Sequence, residues 1–391
     1  MPNAYLNARE AAAELNVSRA TLYAYVSRGL IRSEPAENGR SKLYRADDVR
    51  ALRGRKTPAT PNEQVLARGA AVLDSAITYI DDAGGLYYRG RDALKLADVA
   101  GLEAVAGLLW DCGDRDPFET DPAPLPRLPD IEAAYARMQA LLAAAAPDDL
   151  KALNLQPWGV ACTGARILRL LVAAAVASDP APGAVHERLA RAWGASREAA
   201  EVIRTALVLC ADHELNVSAF AVRCVASARS TPYAAVLAGL AALQGPRHGG
   251  ETARVAALFD EADRRGARAI EERLQRGERL PGFGQFLYPE GDPRYPALMR
   301  ALDARGFGGP VRDSAAALAE RGAHLTDLQP NVDFGLATAR RALGLPAVAP
   351  LAIFAIGRCV GWIAHAQEQY GQPDLIRPRA RYTGEKPQPA H

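Results

Sequence analysis

Two histidines of this 391-residue chain stand in surroundings suited to chemistry. His213 lies between Asp212 and Glu214 in ADHELNVSAFAVRCVAS, residues 211–227. Flanking carboxylates control the ionisation and orientation of an imidazole, although such a histidine, taken alone, is more often a satisfied core group. His248 lies in GPRHGG, residues 245–250. Glycines on both sides let the backbone approach a ligand closely and permit unusual dihedrals, so the ring is presented from a loop or helix end. Asp333, in LQPNVDFGLATARRALGLP (328–346), would in isolation be read as a helix cap or a surface group. Arg294 closes PGFGQFLYPEGDPR, Arg358 lies in IFAIGRCVGWIAHAQEQ and Arg377 in LIRPRARYTG. The planar guanidinium fork pairs bidentately with a carboxylate, so arginines suit the binding of a carboxylate substrate. His365, on a helix, reads as packing.

The elements that must position these residues are helical. Apolar residues make up 49 % of the chain and aromatics 6 %, so the interior is built mainly from Ala, Leu, Val and Ile, with few stretches alternating as strands do. An all-α protein is expected. The five cysteines are odd in number, far apart and without a CxxC pair, which suggests neither a disulfide framework nor a zinc cluster. No metal site is expected. The apolar run Leu168–Ala177 is too short to span a bilayer, and no charged-then-apolar leader opens the chain; a soluble cytoplasmic protein is expected.

Charge divides the chain. Residues 1–56 hold 11 Lys/Arg against 6 Asp/Glu, while the remainder holds 36 against 39. A basic head on a slightly acidic body confines any nucleic-acid contact to the head. There, Ala11, Leu15, Val17, Leu22 and Val26 suit two short helices meeting at Asn16-Val17, with Ser18 placed to cap the second. A hairpin-like wing follows with its turn at Asn38-Gly39, then a helix starting near Ala46. Residues 54–65, GRKTPATPNEQV, read as a linker.

The head resembles the MerR-like, or excisionase-like, winged helix-turn-helix. That resemblance implies duplex DNA as a partner, read by Ser18, Arg19, Thr21 and Tyr23, with Arg40 and Lys42 of the wing on phosphate. The body, roughly residues 71–384, resembles the citrate synthase family. The stretch 75–110 looks like the family's opening hairpin, YRG and a helix ending in LLW. ADHELNVSAF resembles ADHEFNASTF, GPRHGG resembles GPLHGG, PGFGQFLYPEGDPR resembles GFGHxxYxxxDPR, and PNVDF with ALGLP resembles PNVDFYSG…ALGIP.

The resemblance implies an acyltransferase condensing acetyl-CoA with oxaloacetate to give citrate and CoA, with no metal or redox cofactor. Asp333 takes the place of the base, His248 of the enol-stabilising histidine, and His213, Arg294, Arg358 and Arg377 of the oxaloacetate-binding residues. Gln285 stands where the family has a ketone-polarising histidine. An amide can donate a hydrogen bond but cannot supply a proton as imidazolium does, and losing such a donor typically costs 10²–10⁴-fold in rate. Two other readings stay open: a DNA-binding regulator using the body as a metabolite sensor, and a 2-methylcitrate synthase using propionyl-CoA. In the family the arginine at the position of Arg377 reaches the neighbouring subunit's site, which implies a homodimer. The expected division is a DNA-binding domain over 1–56, a linker over 57–70, a large domain over 71–249 and 346–391, and a small domain over 250–345.

Overall fold

A computed structural model describes residues 5–15, 17, 22–23, 25–26, 31–35, 42–49, 73–123, 125–127, 130–380 and 382–384. Ser18, Arg19, Thr21, Arg40, the Asn38-Gly39 turn and the 57–70 linker lie outside the described residues. The chain forms two compact units, Met1–Asp74 and Ser75–His391.

In the first unit, Asn7 ends strand β1 (Tyr5–Asn7) and starts helix α1 (Ala8–Glu14). Its Oδ1 accepts from Arg9 N and Glu10 N, while Glu10 Oε2 accepts from Asn7 N at 2.9 Å, a reciprocal capping box. Strands β2 (Ser33–Pro35) and β3 (Lys42–Arg45) pair antiparallel, and β1 pairs with the other edge of β3. Ala11, Leu15, Leu22, Ile31, Tyr44 and Val49 form a small core, with Val17 and Val26 against it, so the apolar positions picked from the sequence do converge. Arg32 clamps Asp48 of the helical turn 46–49 through Nε and Nη2, at 2.9 and 2.8 Å. Tyr23 and Lys42 are exposed.

The second unit opens on strands β4 (Thr78–Ile80), β5 (Leu86–Tyr88) and β6 (Arg91–Asp92). Asp81 makes the first turn by accepting from Ala83 N and Gly85 N with one oxygen. The expected single helix ending in LLW is two, α2 (Ala93–Val99) and α3 (Leu102–Leu109), because the extended backbone of Ala100 interrupts the helical path. The helices α4 (Ala134–Ala145), α5 (Pro157–Val176), α6 (Val185–Ala192), α7 (Arg197–Leu209), α8 (Val217–Ser227) and α9 (Pro232–Leu243) follow. Then come α10 (Glu251–Arg265), α11 (Arg268–Gln275), α12 (Arg294–Asp303), α13 (Pro310–Thr326), α14 (Val332–Ala342) and α15 (Ala349–Tyr370). The unit is mostly helical, as expected, and the two small three-stranded sheets are the exception to an all-α chain.

α15 is the central helix, packed by α5, α7, α8 and α9. The run Leu168–Ala177 belongs to α5, which at 20 residues is long and apolar enough to cross a membrane, as α15 is. The expectation that this run is too short is therefore corrected. Burial supplies the reason for its composition: 78 % and 94 % of the most apolar windows of the two helices lie inside the protein. Cys112, Cys210 and Cys359 are buried and all five cysteines are free. A second core, separate from the first, gathers Val255, Leu258, Phe259, Phe283, Leu318 and Phe334 from α10, α13, α14 and the loop between α11 and α12.

Candidate active site

Residues 210–216 leave α7 without regular structure, and a loop carrying a histidine needs to be fixed. α15 does much of this. Arg358 Nε donates to Cys210 O at 2.8 Å, and Gly361 N donates to Ala211 O at 2.9 Å. A Cβ on Gly361 would come within 2.2 Å of Asp212 Oδ1, so glycine is needed there for the close approach. From β5, Tyr88 Oη donates to the carbonyls of Val208 and Asp212. His213, 5 % exposed, then meets Tyr288, whose Oη lies 2.9 Å from its Nε2. Burial, with the charges of Arg294 and Arg358, holds His213 well below the usual imidazole range, so it is neutral. Neither flanking carboxylate touches the ring directly: Asp212 turns toward Thr78 and His365, and Glu214 is exposed.

His248 stands in the turn between α9 and α10. The glycines after it serve close approach rather than unusual dihedrals. Gly250 has an ordinary φ of −62°, but a Cβ there would come within 2.5 Å of Gln244 O, and one on Gly249 within 2.7 Å of Leu243 Cδ1. His248 Nε2 lies 2.9 Å from Ser218 Oγ on α8, and its ring meets Phe354 edge-on at 6.0 Å. Ser218 Oγ also accepts from Trp362 Nε1. Burial, then Arg358, lower the His248 pKa to about 4, so it too is neutral.

Asp333 is the second residue of α14. Asn331 caps that helix, its Oδ1 accepting from Asp333 N at 3.0 Å while its Nδ2 donates to Gly284 O. Backbone bonds Asn331 N to Gly282 O and Gly284 N to Gln329 O stitch the two loops together, using the positive φ of Gly282 and Gly284. Asp333 Oδ1 is sealed from solvent without a hydrogen-bond partner among the described residues. Burial is the main reason its pKa rises to about 7; Arg294 opposes the rise, and Glu251 and Asp292 add to it. Arg294 is itself seated by Asp292, at 2.9 and 2.7 Å, and Asp292 also accepts from Val332 N at the start of α14. Arg358, 1 % exposed, leaves its Nη2 without a partner.

The structure thus brings Arg358 near enough for its charge to act on His213, His248 and Asp333, and Arg294 near enough to act on His213 and Asp333. Gln285 is half-buried with Oε1 3.5 Å from Leu287 N on its own loop, and no hydrogen bond among the described residues ties it to the cluster. Arg377 is outside the cluster within one protomer. It is exposed on the tail, where neighbouring Ile376 N donates to Ser227 Oγ, at the end of α8 away from Ser218. Sequence reasoning passed over Tyr288 and Ser218 as contacts, although both lie inside the motifs it quoted. Among the described residues no group of three His, Cys, Asp or Glu could hold a metal ion. The arrangement is one unpaired, hard-to-ionise carboxylate beside two neutral imidazoles and two buried guanidinium groups. It can accept a proton from a weak carbon acid and hold an anionic partner for it.

Comparison with known proteins agrees with that chemistry. Residues 66–379 match the family described as citrate synthase, C-terminal domain, and residues 5–56 match a helix-turn-helix domain. The citrate synthase of Haloferax volcanii is 33 % identical over 361 residues, spanning 81 % of this chain and 95 % of the relative. The 2-methylcitrate synthase of Mycobacterium tuberculosis is 30 % identical over 387 residues, spanning 88 % and 96 %. Among solved structures, the ternary complex of carboxymethyl coenzyme A and oxaloacetate with citrate synthase from Thermoplasma acidophilum is matched with a TM-score of 0.70 at 26 % identity, covering 82 % of this chain and 97 % of that one.

Proposed function

The chain belongs to the citrate synthase family, transferases that turn an acyl group into an alkyl group on transfer, and on that premise we propose that it condenses acetyl-CoA with oxaloacetate. The observation that carries the reading is Asp333, a sealed carboxyl with its pKa raised to about 7 beside a neutral His248. A base of that strength removes a proton from the methyl group of a thioester only where the resulting enolate is stabilised at once. His248 does this as a neutral donor. Its ring is held with Nε2 2.9 Å from Ser218 Oγ, whose hydroxyl donates to Asn216 Oδ1 at 2.7 Å. The new carbanion then attacks the ketone carbon of oxaloacetate. Its carboxylates are held by Arg294 and by the free Nη2 of Arg358, with His213 hydrogen-bonding the substrate. The Gln285 amide donates to the developing alkoxide once the small lobe, built on the second core, closes over the site. Hydrolysis of the citryl thioester releases citrate and CoA. These steps need no metal or redox cofactor.

Arg377 completes the site from a second copy in this reading, which makes the active unit a homodimer. The basic head adds binding of duplex DNA. The 30 % identity to a 2-methylcitrate synthase favours propionyl-CoA as the second candidate substrate. Release of free CoA, measured with acetyl-CoA and with propionyl-CoA against oxaloacetate, decides between them. No release with either thioester would overturn the enzymatic reading in favour of a metabolite-sensing body.

A further inference from the structure

Behind His213 lies a buried polar chain that the reaction does not use. Asp212 and His365 are fully buried and Arg223 is 1 % exposed. Asp212 Oδ2 accepts from Thr78 Oγ1 at 2.6 Å and from Glu214 N at 3.1 Å. The second bond closes a turn over His213 itself, so the direction of this carboxylate sets the backbone of the histidine between them. Glu214 leaves that turn with φ of +55°, a conformation few non-glycine residues adopt unless their surroundings impose it. The other oxygen, Oδ1, lies 3.3 Å from His365 Nε2, and neither atom has another hydrogen-bond partner among the described residues. Arg223 Nε donates to His365 Nδ1 at 3.0 Å. Since Nδ1 accepts, the ring proton belongs on Nε2, facing Asp212. Arg223 is in turn paired with Glu368, which accepts from Ala76 N at 2.8 Å.

From this geometry we propose that His365 is a positioning residue for the substrate-binding histidine. It holds the Asp212 carboxylate against Thr78, and the carboxylate holds the turn that aims His213 at Tyr288. The assignment of His365 to packing is corrected accordingly. A hydrocarbon side chain of similar size would fill the space but leave Oδ1 of a buried carboxylate unpaired, and an unpaired buried acceptor drives rearrangement. This inference rests on His213 binding a 2-oxo dicarboxylate, the proposed function above.

The test is calorimetric titration of the full chain with oxaloacetate, together with steady-state CoA release, for wild type, His365→Leu, His365→Gln and Thr78→Val. Far-ultraviolet circular dichroism and melting establish that each variant folds. The dissociation constant for oxaloacetate should rise tenfold or more in His365→Leu and three- to tenfold in Thr78→Val. It should return to within threefold of wild type in His365→Gln, whose amide still donates to Asp212. At saturating oxaloacetate kcat should stay within threefold throughout, because Asp333 and His248 are untouched. If His365→Leu does not fold, Thr78→Val and His365→Gln carry the comparison. Unchanged affinity in Thr78→Val and His365→Leu overturns the positioning role alone. Equal losses of affinity and kcat in all three variants, the Gln variant included, overturn it as well, marking a purely structural network. A wild type that binds no oxaloacetate refutes the proposed activity, and this role with it.

Discussion

Replacing Asp333 with Asn should make the protein more stable and nearly inactive, and the size of the first effect follows from the site. The folded state raises the Asp333 pKa from 3.8 to about 7, a difference of about three units. At about 1.4 kcal/mol per unit this is a ceiling of about 4 kcal/mol. Asp333 is only half-buried as a residue, so solvent screening lowers the expected effect to roughly 2 kcal/mol. The sign follows from proton binding. Below pH 3.8 the carboxyl is protonated in both folded and unfolded chains, and wild type and variant differ little. As pH rises toward 7, the unfolded chain ionises freely while the folded chain resists, so wild type loses stability that the uncharged Asn retains. Above pH 7 the difference is constant. For a unit of this size about 2 kcal/mol corresponds to roughly 3 °C in melting temperature.

Melting both proteins at pH 4.5 and pH 8 is the measurement. The Asn variant should melt within about 2 °C of wild type at the lower pH and roughly 3 °C above it at the higher. CoA release should fall by about 10²–10⁴-fold, the range for loss of a positioned base. A variant less stable than wild type at pH 8, or a gap that does not change with pH, would refute the account of Asp333 as a strained, unpaired carboxyl. Turnover surviving within about tenfold, too small a loss for a base, would refute its role.

The same pKa predicts that kcat/KM falls about tenfold per pH unit below about 7, as Asp333 takes up its proton, and a pH–rate profile flat between 5 and 8 would contradict this. Gln285→His should raise kcat by about tenfold or more with little change in oxaloacetate affinity, since positioned acid catalysis is worth about 10²–10⁴-fold; a fully active wild type whose His variant loses activity would instead make Gln285 an adaptation to another substrate. Sedimentation should give a homodimer or a higher even-numbered oligomer, and Arg377→Ala should weaken oxaloacetate binding while leaving assembly intact. A stable monomer with full activity rules out a shared site. The full-length protein should bind duplex DNA with an affinity that falls steeply as salt rises, and failure to bind at low salt would demote the head to a protein-interaction role.

The sequence by itself determined much of this protein. Motif order and composition were enough for the helical body and the separate basic head, and they singled out His213, His248, Asp333, Arg294 and Arg358 as candidates, because each lies in a short segment whose local signals survive without the fold. Asn331 before Asp333 is a helix cap readable from the sequence, and Asp81 before Gly84-Gly85 is a readable turn. What surrounds those residues was decided elsewhere. Asp212 and Glu214 adjoin His213 in sequence, yet its partner is Tyr288, 75 residues away, and Asp212 belongs to His365, 153 positions on. His365 looked like packing because its helix is apolar on almost every side, and only the fold shows that Arg223 and Asp212 flank it. Gly361 carries no local turn signal; its need is the close approach of another loop, whose Asp212 Oδ1 an added Cβ would strike. Periodicity and motif report what a residue does within its own few neighbours. Ionisation, orientation and close approach depend on groups brought in from distant segments, and those distances exist only once the chain has folded.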